Sequence, residues 1–458
     1  MAQLDPSLFK AYDIRGIVPQ ALSADACVHI GRAYATMARA CAQTAVYISR
    51  DGRDSGPQLA QALTEGLRAG GLDVVDLGMN ATPMLYFACA TTDIGNGIQI
   101  TGSHNPPEYN GLKMVLQGNA LHGEQIAALR ERTLAEDYSS GNGGLRSASI
   151  VEPYLQRIVS DVQLARPMHV AVDCGNGVAG AFAPELLRRL GCRVTELFCE
   201  VDGSFPNHHP DPADPHNLED LQRVLRETDA EVGLAFDGDG DRLGVVTRSG
   251  QVIWPDRQLM LYAADVLQRH PGAPILYDVK CTANLDPWVR RHGGQPMMWR
   301  TGHSLIKARM KEVGAPLAGE MSGHIFFKDR WYGFDDAQYG AARLLELLAR
   351  AADAQALLLD LPDALSTPEL KIITEPQQQF ALCERLQREG RFPSARHIHT
   401  IDGVRAEYDD GFGLARPSNT TPCVVLRFEA RDAQAMQRIQ QEFRQALLQL
   451  EPGLRLPF

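Results

Sequence analysis

The sequence predicts an α/β protein of several domains, and three observations carry that prediction. Apolar strand-like runs alternate with amphipathic helical stretches along the chain, the pattern of α/β units. The 458 residues correspond to about three domains at roughly 150 residues each, with four allowed. Breaks near 148, 250 and 363 interrupt the alternation, so the units expected are 1–148, 149–250, 251–363 and 364–458.

Residues 9–19 open the chain with interleaved apolar and polar positions, a strand or turn-strand. In it Arg15 precedes Gly16, which lets the backbone turn; a surface arginine on an edge strand would look the same. Residues 24–42 read as an amphipathic helix, 45–49 as a strand and 50–55 as the loop that ends it. Ser55 is placed to cap a helix over 57–69, with Pro57 in its first turn. Gly70 and Gly71 stop that helix, and 72–77 form the next strand. The apolar strand 97–100 then runs into Thr101-Gly102-Ser103-His104-Asn105-Pro106-Pro107. Pro106 has no N–H, so this segment cannot continue as a central strand. A serine at a strand end, beside a glycine and a histidine, can offer its hydroxyl to a ligand. The same residue types also make an ordinary polar turn. Residues 108–113 read as a turn leading into the apolar run 114–116, a helix covers 124–135, and 139–144 break the pattern.

A helix over 151–164 and a strand over 168–173 start the second unit. The glycine loop 174–180 resembles a phosphate-cradling turn but lacks the full GxGxxG pattern, and is read as packing. His208 and His209 lie in the proline-rich stretch 202–212. Adjacent residues rarely both face one ion, so this stretch is read as a structural loop. The buried-type strand 232–236 ends in Asp237-Gly238-Asp239-Gly240-Asp241-Arg242. Glycines between the three aspartates let the loop curl so that alternate carboxylates converge. Hard oxygen ligands favour Mg²⁺, Mn²⁺ or Ca²⁺ over zinc. An EF-hand fails, because Arg242 stands where its glycine belongs and Arg248 where its bidentate glutamate belongs. A solvated acidic turn is the plain alternative, and mutual repulsion of three carboxylates argues against it.

In the third unit a helix spans 256–269, and strand 274–279 ends at Lys280-Cys281-Thr282. Gly302-His303-Ser304 lies in a loop before a helix starting near 305. Between apolar flanks sits Gly319-Glu320-Met321-Ser322-Gly323-His324. Glu320 and Ser322 put carboxylate and hydroxyl acceptors on one short turn, which suits sugar hydroxyls better than phosphate; a capped turn is the alternative. The fourth unit shows strand 371–373, helix 377–389, strand 401–408, strand 423–428 and helix 433–450. Its loop Arg416-Pro417-Ser418-Asn419-Thr420-Thr421-Pro422 offers a guanidinium, hydroxyls, an amide and backbone N–H groups, the parts of a phosphate site.

The formal net charge of -11 is a poor match to nucleic acid or an anionic membrane, so an anionic ligand would need local Arg and Lys. Nine scattered cysteines without a CxxC pair fit reduced thiols in the cytoplasm. Residues 1–6 carry no secretory pattern, and no apolar run reaches the roughly 18 residues of a membrane span.

With these loops in hand, the chain resembles the α-D-phosphohexomutase family over essentially its whole length. TGSHNPP, DGDGDR, GEMSGH and RPSNTTP occur in family order, a combination far more specific than any one of them. The resemblance implies a heart-shaped monomer of four domains around a central cleft. Its first three domains share a mixed α/β sheet topology, and the fourth is a smaller α+β domain resembling the TATA-binding-protein fold. It implies reversible phosphoryl transfer between the 1- and 6-positions of mannose and glucose phosphates, through phosphoserine 103 and a bisphosphorylated sugar. One Mg²⁺ per chain is expected on Asp237, Asp239, Asp241 and a phosphoserine 103 oxygen, with glucose 1,6-bisphosphate or an equivalent as activator. Arg242 is expected to steady the phosphoryl oxygens. Lys113, Arg15, His104 and His324 are the general-base candidates, with the family pointing mainly to Lys113 and Arg15. Tyr12, Lys280 and His303 are expected along the sugar path with Glu320, Ser322 and His324. Arg416, Ser418, Asn419 and Thr420 are expected to hold the phosphate that is not reacting. Met321 favours the mannose/glucose branch over the glucosamine branch. Gly102 stands where many members have alanine, which is expected to loosen the loop slightly. A catalytically silent sugar-phosphate sensor and a metal-dependent phosphatase are the competing readings. Four intact motifs argue against the first, and the second leaves the Ser103 loop without a purpose.

Overall fold

The computed structural model describes residues 4–419 and 421–458, arranged as four sheets with helices packed on them. Three of the sheets repeat one core. In each, the first strand lies between the second and third, all parallel, and the fourth runs antiparallel beside the third. In the first sheet these strands are Ala45–Arg50, Asp73–Met79, Gly97–Ile100 and Tyr109–Leu116. In the second they are His169–Asp173, Arg193–Leu197, Val232–Phe236 and Leu243–Thr247. In the third they are Pro274–Asp278, Gln295–Trp299, Leu317–Gly319 and Ile325–Phe327. Helices cover the parallel strands, and every residue of Val232–Phe236 is buried, so it reads as a continuous apolar run rather than an alternating one. The first sheet gains Ile14–Ile17, antiparallel to Tyr109–Leu116, and this pairing brings Arg15 opposite Gly111.

The fourth sheet is wholly antiparallel, centred on Val404–Tyr408, Gly411–Pro417 and Cys423–Ala430, with helices Gln378–Glu389 and Ala433–Leu450 packed on it. One apolar cluster running from Tyr47 to Leu361 serves the first three units together, whereas the fourth has its own, around Leu386, Leu426, Phe428 and Phe443. Among the described residues a small apolar cluster, Val279 with Phe412 and Leu414, bridges the third unit to the fourth. Buried polar contacts supply the rest. Arg405 Nη1 donates to the carbonyls of Val279 and Cys281 at 2.7 Å each, and Glu429 Oε1 accepts from Thr282 Oγ1 and Ala283 N at 2.9 Å each.

Several local expectations change. The helix Thr82–Thr91 gives no amphipathic signal, because it is apolar throughout and neighbours pack on nearly every side of it. Ser55 does not cap its helix: its backbone is already helical, and its Oγ accepts from Asn110 Nδ2 at 2.9 Å instead. His303 is the first residue of helix His303–Val313 rather than a loop residue. Arg416 lies on strand Gly411–Pro417, opposite Val425, rather than in the loop after it. Lys113 sits mid-strand opposite Gln99 rather than in a turn. No helix among the described residues is long and apolar enough to cross a membrane.

Candidate active site

The repeated sheet core explains why the polar loops meet. The Ser103 loop, the aspartate loop and the Glu320 loop each connect the third, parallel strand of a unit to its antiparallel fourth. They therefore emerge at equivalent carboxyl ends of parallel strands, the usual place for ligands in α/β sheets. Contacts knit them together. A Cβ on Gly238 would lie 2.4 Å from the Ser103 carbonyl oxygen, so only glycine lets the second loop approach the first this closely. Arg242 and His324 form a β-bridge that ties the second loop to the third.

Ser103 is buried and adopts φ 51°, a left-handed conformation uncommon for a side-chain-bearing residue. Its Oγ lies 3.2 Å from His104 Nδ1 and 3.5 Å from Asp237 Oδ2. Arg53, which the sequence did not single out, holds the loop in this shape. Its Nη1 donates to the carbonyls of Pro106 and Tyr109, and its Nη2 to those of Ser103 and Asn105, all between 2.6 and 2.9 Å. Asp51 holds Arg53 in turn through Nε at 3.2 Å, and accepts from Thr101 Oγ1 at 2.7 Å. A Cβ on Gly102 would lie 2.5 Å from Arg53 Cζ and 2.8 Å from the Tyr109 carbonyl. Gly102 thus admits the guanidinium and is tightly packed, which corrects the expectation of a loosened loop.

The aspartate loop is organised by its first member. Asp237 Oδ1 accepts from the backbone N–H groups of Gly240, Asp241 and Arg242 at 3.0–3.1 Å. Asp239 Oδ2 accepts from Lys113 Nζ at 2.7 Å and from the Thr82 hydroxyl, and Asp241 Oδ2 accepts from the same Lys113 Nζ at 2.5 Å. All three carboxylates are inaccessible to solvent, and single oxygens from each come within 4.8 Å of one another. Asp239 Oδ1 is buried with no hydrogen-bond partner among the described residues, and Asp241 Oδ1 has only the His324 ring facing it. Burial and repulsion from Asp239 and Asp241 hold the Asp237 carboxyl well above the ordinary range. Burial opposes the charge on Asp241 too, but Lys113 and then His324 outweigh it and keep that carboxyl well below the range. A converging set of hard oxygens with one orphaned acceptor and excess negative charge fits a divalent cation.

The third loop closes the other side. His324 Nε2 faces Asp241 Oδ1 at 3.2 Å, while its Nδ1 contacts Glu320 Oε2 at 2.9 Å and Ser322 Oγ at 3.1 Å. Burial alone would lower the His324 pKa, but Asp241 and Glu320 outweigh it and raise it to about 9. Glu320 Oε1 accepts from Gly302 N at 2.5 Å. The His303 ring packs between Tyr12, edge-on at 5.2 Å, and His324, at 5.7 Å between centroids. Burial, with Lys307 and Lys113 nearby, holds His303 well below the ordinary imidazole range. Arg15 donates to Asp13 Oδ2 at 2.6 Å and to Asn105 Oδ1.

Lys280 and Arg416 stand where the third and fourth units meet. Lys280 Nζ donates to Glu369 at 2.6 Å, and Arg416 Nε donates to Asp402 Oδ2 at 2.9 Å. Asp402 Oδ2 also accepts from Thr301 N at 3.0 Å, so one carboxylate joins Arg416 to the third unit. Ser418 Oγ lies 3.0 Å from Thr421 Oγ1. Asn419 follows directly, and Thr420 lies outside the described residues. Sequence reading missed Arg53, Thr82 and Asp335. The signal for Arg53 was present as a charged pair, Asp51 and Arg53, at a parallel strand end. Asp335 sits with Asp241 and His324 in a second group of potential metal ligands.

Comparisons with known proteins agree with this arrangement. Models of the phosphoglucomutase/phosphomannomutase α/β/α domains I, II and III match residues 6–140, 152–250 and 254–364, and the model of the C-terminal domain matches 361–446. A phosphomannomutase/phosphoglucomutase of Pseudomonas putida is 51% identical over 458 residues, covering 100% of this chain and 99% of the relative. A phosphoglucomutase of Neisseria meningitidis serogroup A is also 51% identical, over 460 residues and 100% of both chains. The crystal structure of a phosphoglucomutase/phosphomannomutase family protein from Burkholderia thailandensis superposes with a TM-score of 0.96 at 56% identity, covering 99% of this chain and 100% of the other. The four matched domains in order, and full-length relatives far above 30% identity, place this chain in the phosphoglucomutase/phosphomannomutase family of hexose-phosphate mutases.

Proposed function

We propose that the chain moves a phosphoryl group between O1 and O6 of mannose and glucose phosphates, with Ser103 as the carrier and a 1,6-bisphosphate sugar as the intermediate. The observation that carries this reading is the Ser103 hydroxyl, held 3.5 Å from an Asp237 carboxylate oxygen at the meeting point of three loops. In the forward step the P–O bond to Ser103 breaks and a P–O bond to the free sugar hydroxyl forms. The proton from that hydroxyl is balanced by one gained at the serine oxygen. The His104 ring lies 3.2 Å from Ser103 Oγ and is placed to orient that oxygen; burial, reinforced by Arg242 and Arg15, holds it well below the ordinary imidazole range, which favours a neutral hydrogen-bonding role. Burial disfavours charge on Lys113, but Asp239 and Asp241 outweigh it and raise its pKa, which supports an electrostatic role for this lysine at the phosphoryl group. Arg242, 3.8 Å from Asp237, is placed to meet phosphoryl oxygens.

Asp237, Asp239 and Asp241, with an oxygen of phosphoserine 103, would hold one Mg²⁺. Bound there, Mg²⁺ would supply charge neutralisation for the phosphoryl oxygens. Glu320, already receiving Gly302 N and His324, keeps lone pairs for sugar hydroxyls, with Ser322 and His303 beside it. The bisphosphate would turn over in the cleft, with a 1,6-bisphosphate sugar serving as activator. The chain would work as a cytoplasmic monomer on small molecules. The decisive experiment is the intact mass of the purified protein, then turnover of mannose 1-phosphate and glucose 1-phosphate in parallel with a free-phosphate assay. One phosphoryl group on Ser103 and conversion of both sugars are expected. Phosphate release without isomerisation would mean a phosphatase, and tight binding without turnover a sensor.

Two further outcomes follow from the geometry. Arg53→Lys keeps the charge but cannot bridge four carbonyls, and a misplaced reacting group costs about 10²-fold in rate. Steady-state kinetics should show kcat falling by that order with KM nearly unchanged; an unaltered kcat would remove Arg53 from the positioning role. Arg416→Ala should raise KM for both sugars, because a hydrogen bond to a charged group contributes about 1.5–3 kcal/mol. The two units share mainly polar contacts, so the fourth should close on ligand about a hinge near 362–370. Initial-rate measurements and small-angle scattering with and without sugar phosphate check both; an unmoved KM and an unchanged envelope would oppose the clamp.

A further inference from the structure

A cavity of about 800 Å³, lined by no residue of the Ser103, aspartate or Glu320 loops, opens between the first and third units. It lies between segment 118–125, helix His303–Val313 and segment 328–334. Its volume falls within the roughly 300–1,000 Å³ of small-molecule sites and far exceeds what a bare anion needs. Two features give it chemical character. Tyr86 and Phe334, both buried and 5.7 Å apart between centroids, form an aromatic floor, and the half-exposed Tyr332 stands at the rim. Lys307, Lys311 and Lys328 line it against a single carboxylate, Glu124. In a chain of net charge -11 this is a local reversal of sign.

The lysines are not equivalent. Lys307 Nζ is committed to Asp335 Oδ1 at 2.8 Å and sits 4.0 Å from the Tyr86 ring centroid. Lys311 Nζ donates only to the neutral Asn119 Oδ1, at 3.1 Å, and Lys328 has no ion pair among the described residues. Both are exposed, with their charge available to a ligand. Ser304 also belongs to the lining; it is 1% exposed, and its hydroxyl has no hydrogen-bond partner among the described residues. A buried polar group left unpaired is costly unless something else satisfies it.

We propose that this cavity is a second ligand site, separate from the catalytic cleft, for a nucleoside phosphate. The aromatic side chains Phe334 and Tyr332 suit a flat heterocycle, Lys311 and Lys328 suit the phosphate, and the buried Ser304 hydroxyl is the unpaired polar group closest to hand. A hexose phosphate fits less well, since it would leave the apolar and aromatic part of the lining without a matching face. The test is equilibrium dialysis of the full chain with AMP. One saturable site per chain is expected, and it persists at saturating glucose 1-phosphate. Adenosine and inorganic phosphate, each lacking half of the recognition, should bind at least about tenfold more weakly. Lys311→Ala combined with Lys328→Ala should weaken AMP about tenfold or more, the scale of hydrogen bonds to charged groups. The thermal melt and the turnover without AMP should stay at their wild-type values, and arginine at both positions should restore binding. No saturable AMP binding, displacement of AMP by glucose 1-phosphate, or unchanged affinity in the double alanine variant would each overturn the assignment.

Discussion

Ser103→Ala is expected to abolish phosphorylation of the chain and to lower mutase turnover by about 10⁴- to 10⁶-fold, the scale set by removal of an enzyme nucleophile. No neighbouring hydroxyl can substitute. Thr101 Oγ1, two residues away, is committed to Asp51 at 2.7 Å and accepts from Ser103 N at 2.8 Å. The fold should survive the change. The loop is held through backbone carbonyls by Arg53, which alanine leaves in place, while among the described residues the lost hydroxyl hydrogen-bonds only with His104 and Asp237. Sugar phosphate should therefore still bind, with an affinity within a few-fold of wild type by calorimetry, while intact-mass measurement after incubation with a bisphosphate sugar shows no added phosphoryl group. Turnover above about one per cent of wild type would mean that phosphate passes by another route, far outside the loss expected for a missing nucleophile.

The parts of this site that the sequence makes legible are those that sit together in the chain. Ser103, the three aspartates and Glu320 each stand at the end of an apolar strand, and turn chemistry marks them without help from the fold. The common placement of their loops is not legible, because the loops share no residues. It appears only when the three sheets show the same strand order. Pairings over long distances were hidden for the same reason: Lys113 reaches Asp239 across 126 residues and Thr82 reaches it across 157. Thr82 opens a helix that is apolar on all sides, so neither a period nor a cap singled it out. Arg53 was legible as a residue but not as a clamp, since the four carbonyls it holds belong to a loop 50 to 56 residues away. Gly102 shows the converse error. A glycine suggests slack, yet here the missing Cβ is the space a buried guanidinium fills.

Lys113→Met should separate the electrostatic role of this lysine from a structural one. The ammonium is the only group bonded to both Asp239 and Asp241 among the described residues, and it is nearly inaccessible, with 4% side-chain exposure. Methionine keeps the length and apolar stem but leaves two buried carboxylates facing Asp237 with Arg242 and His324 as the remaining nearby cations. Breaking a buried ion pair by removing one partner costs about 3–5 kcal/mol. In chelator, denaturant unfolding of the variant should show a loss of that order relative to wild type. A divalent cation that binds the folded site alone stabilises by about 2.7 kcal/mol at a hundred times its dissociation constant. Added Mg²⁺ should therefore restore much of the lost stability, and should stabilise the variant more than the wild type, because the carboxylates have lost their internal counter-ion. Turnover should stay about 10²- to 10³-fold low even when Mg²⁺ has restored the fold, the loss expected for one preorganised charge at a reacting phosphoryl group. Equal stabilisation of both proteins by Mg²⁺, or none of either, would place the metal elsewhere. Restoration of full turnover by Mg²⁺ would reduce Lys113 to a structural counter-ion of the aspartates.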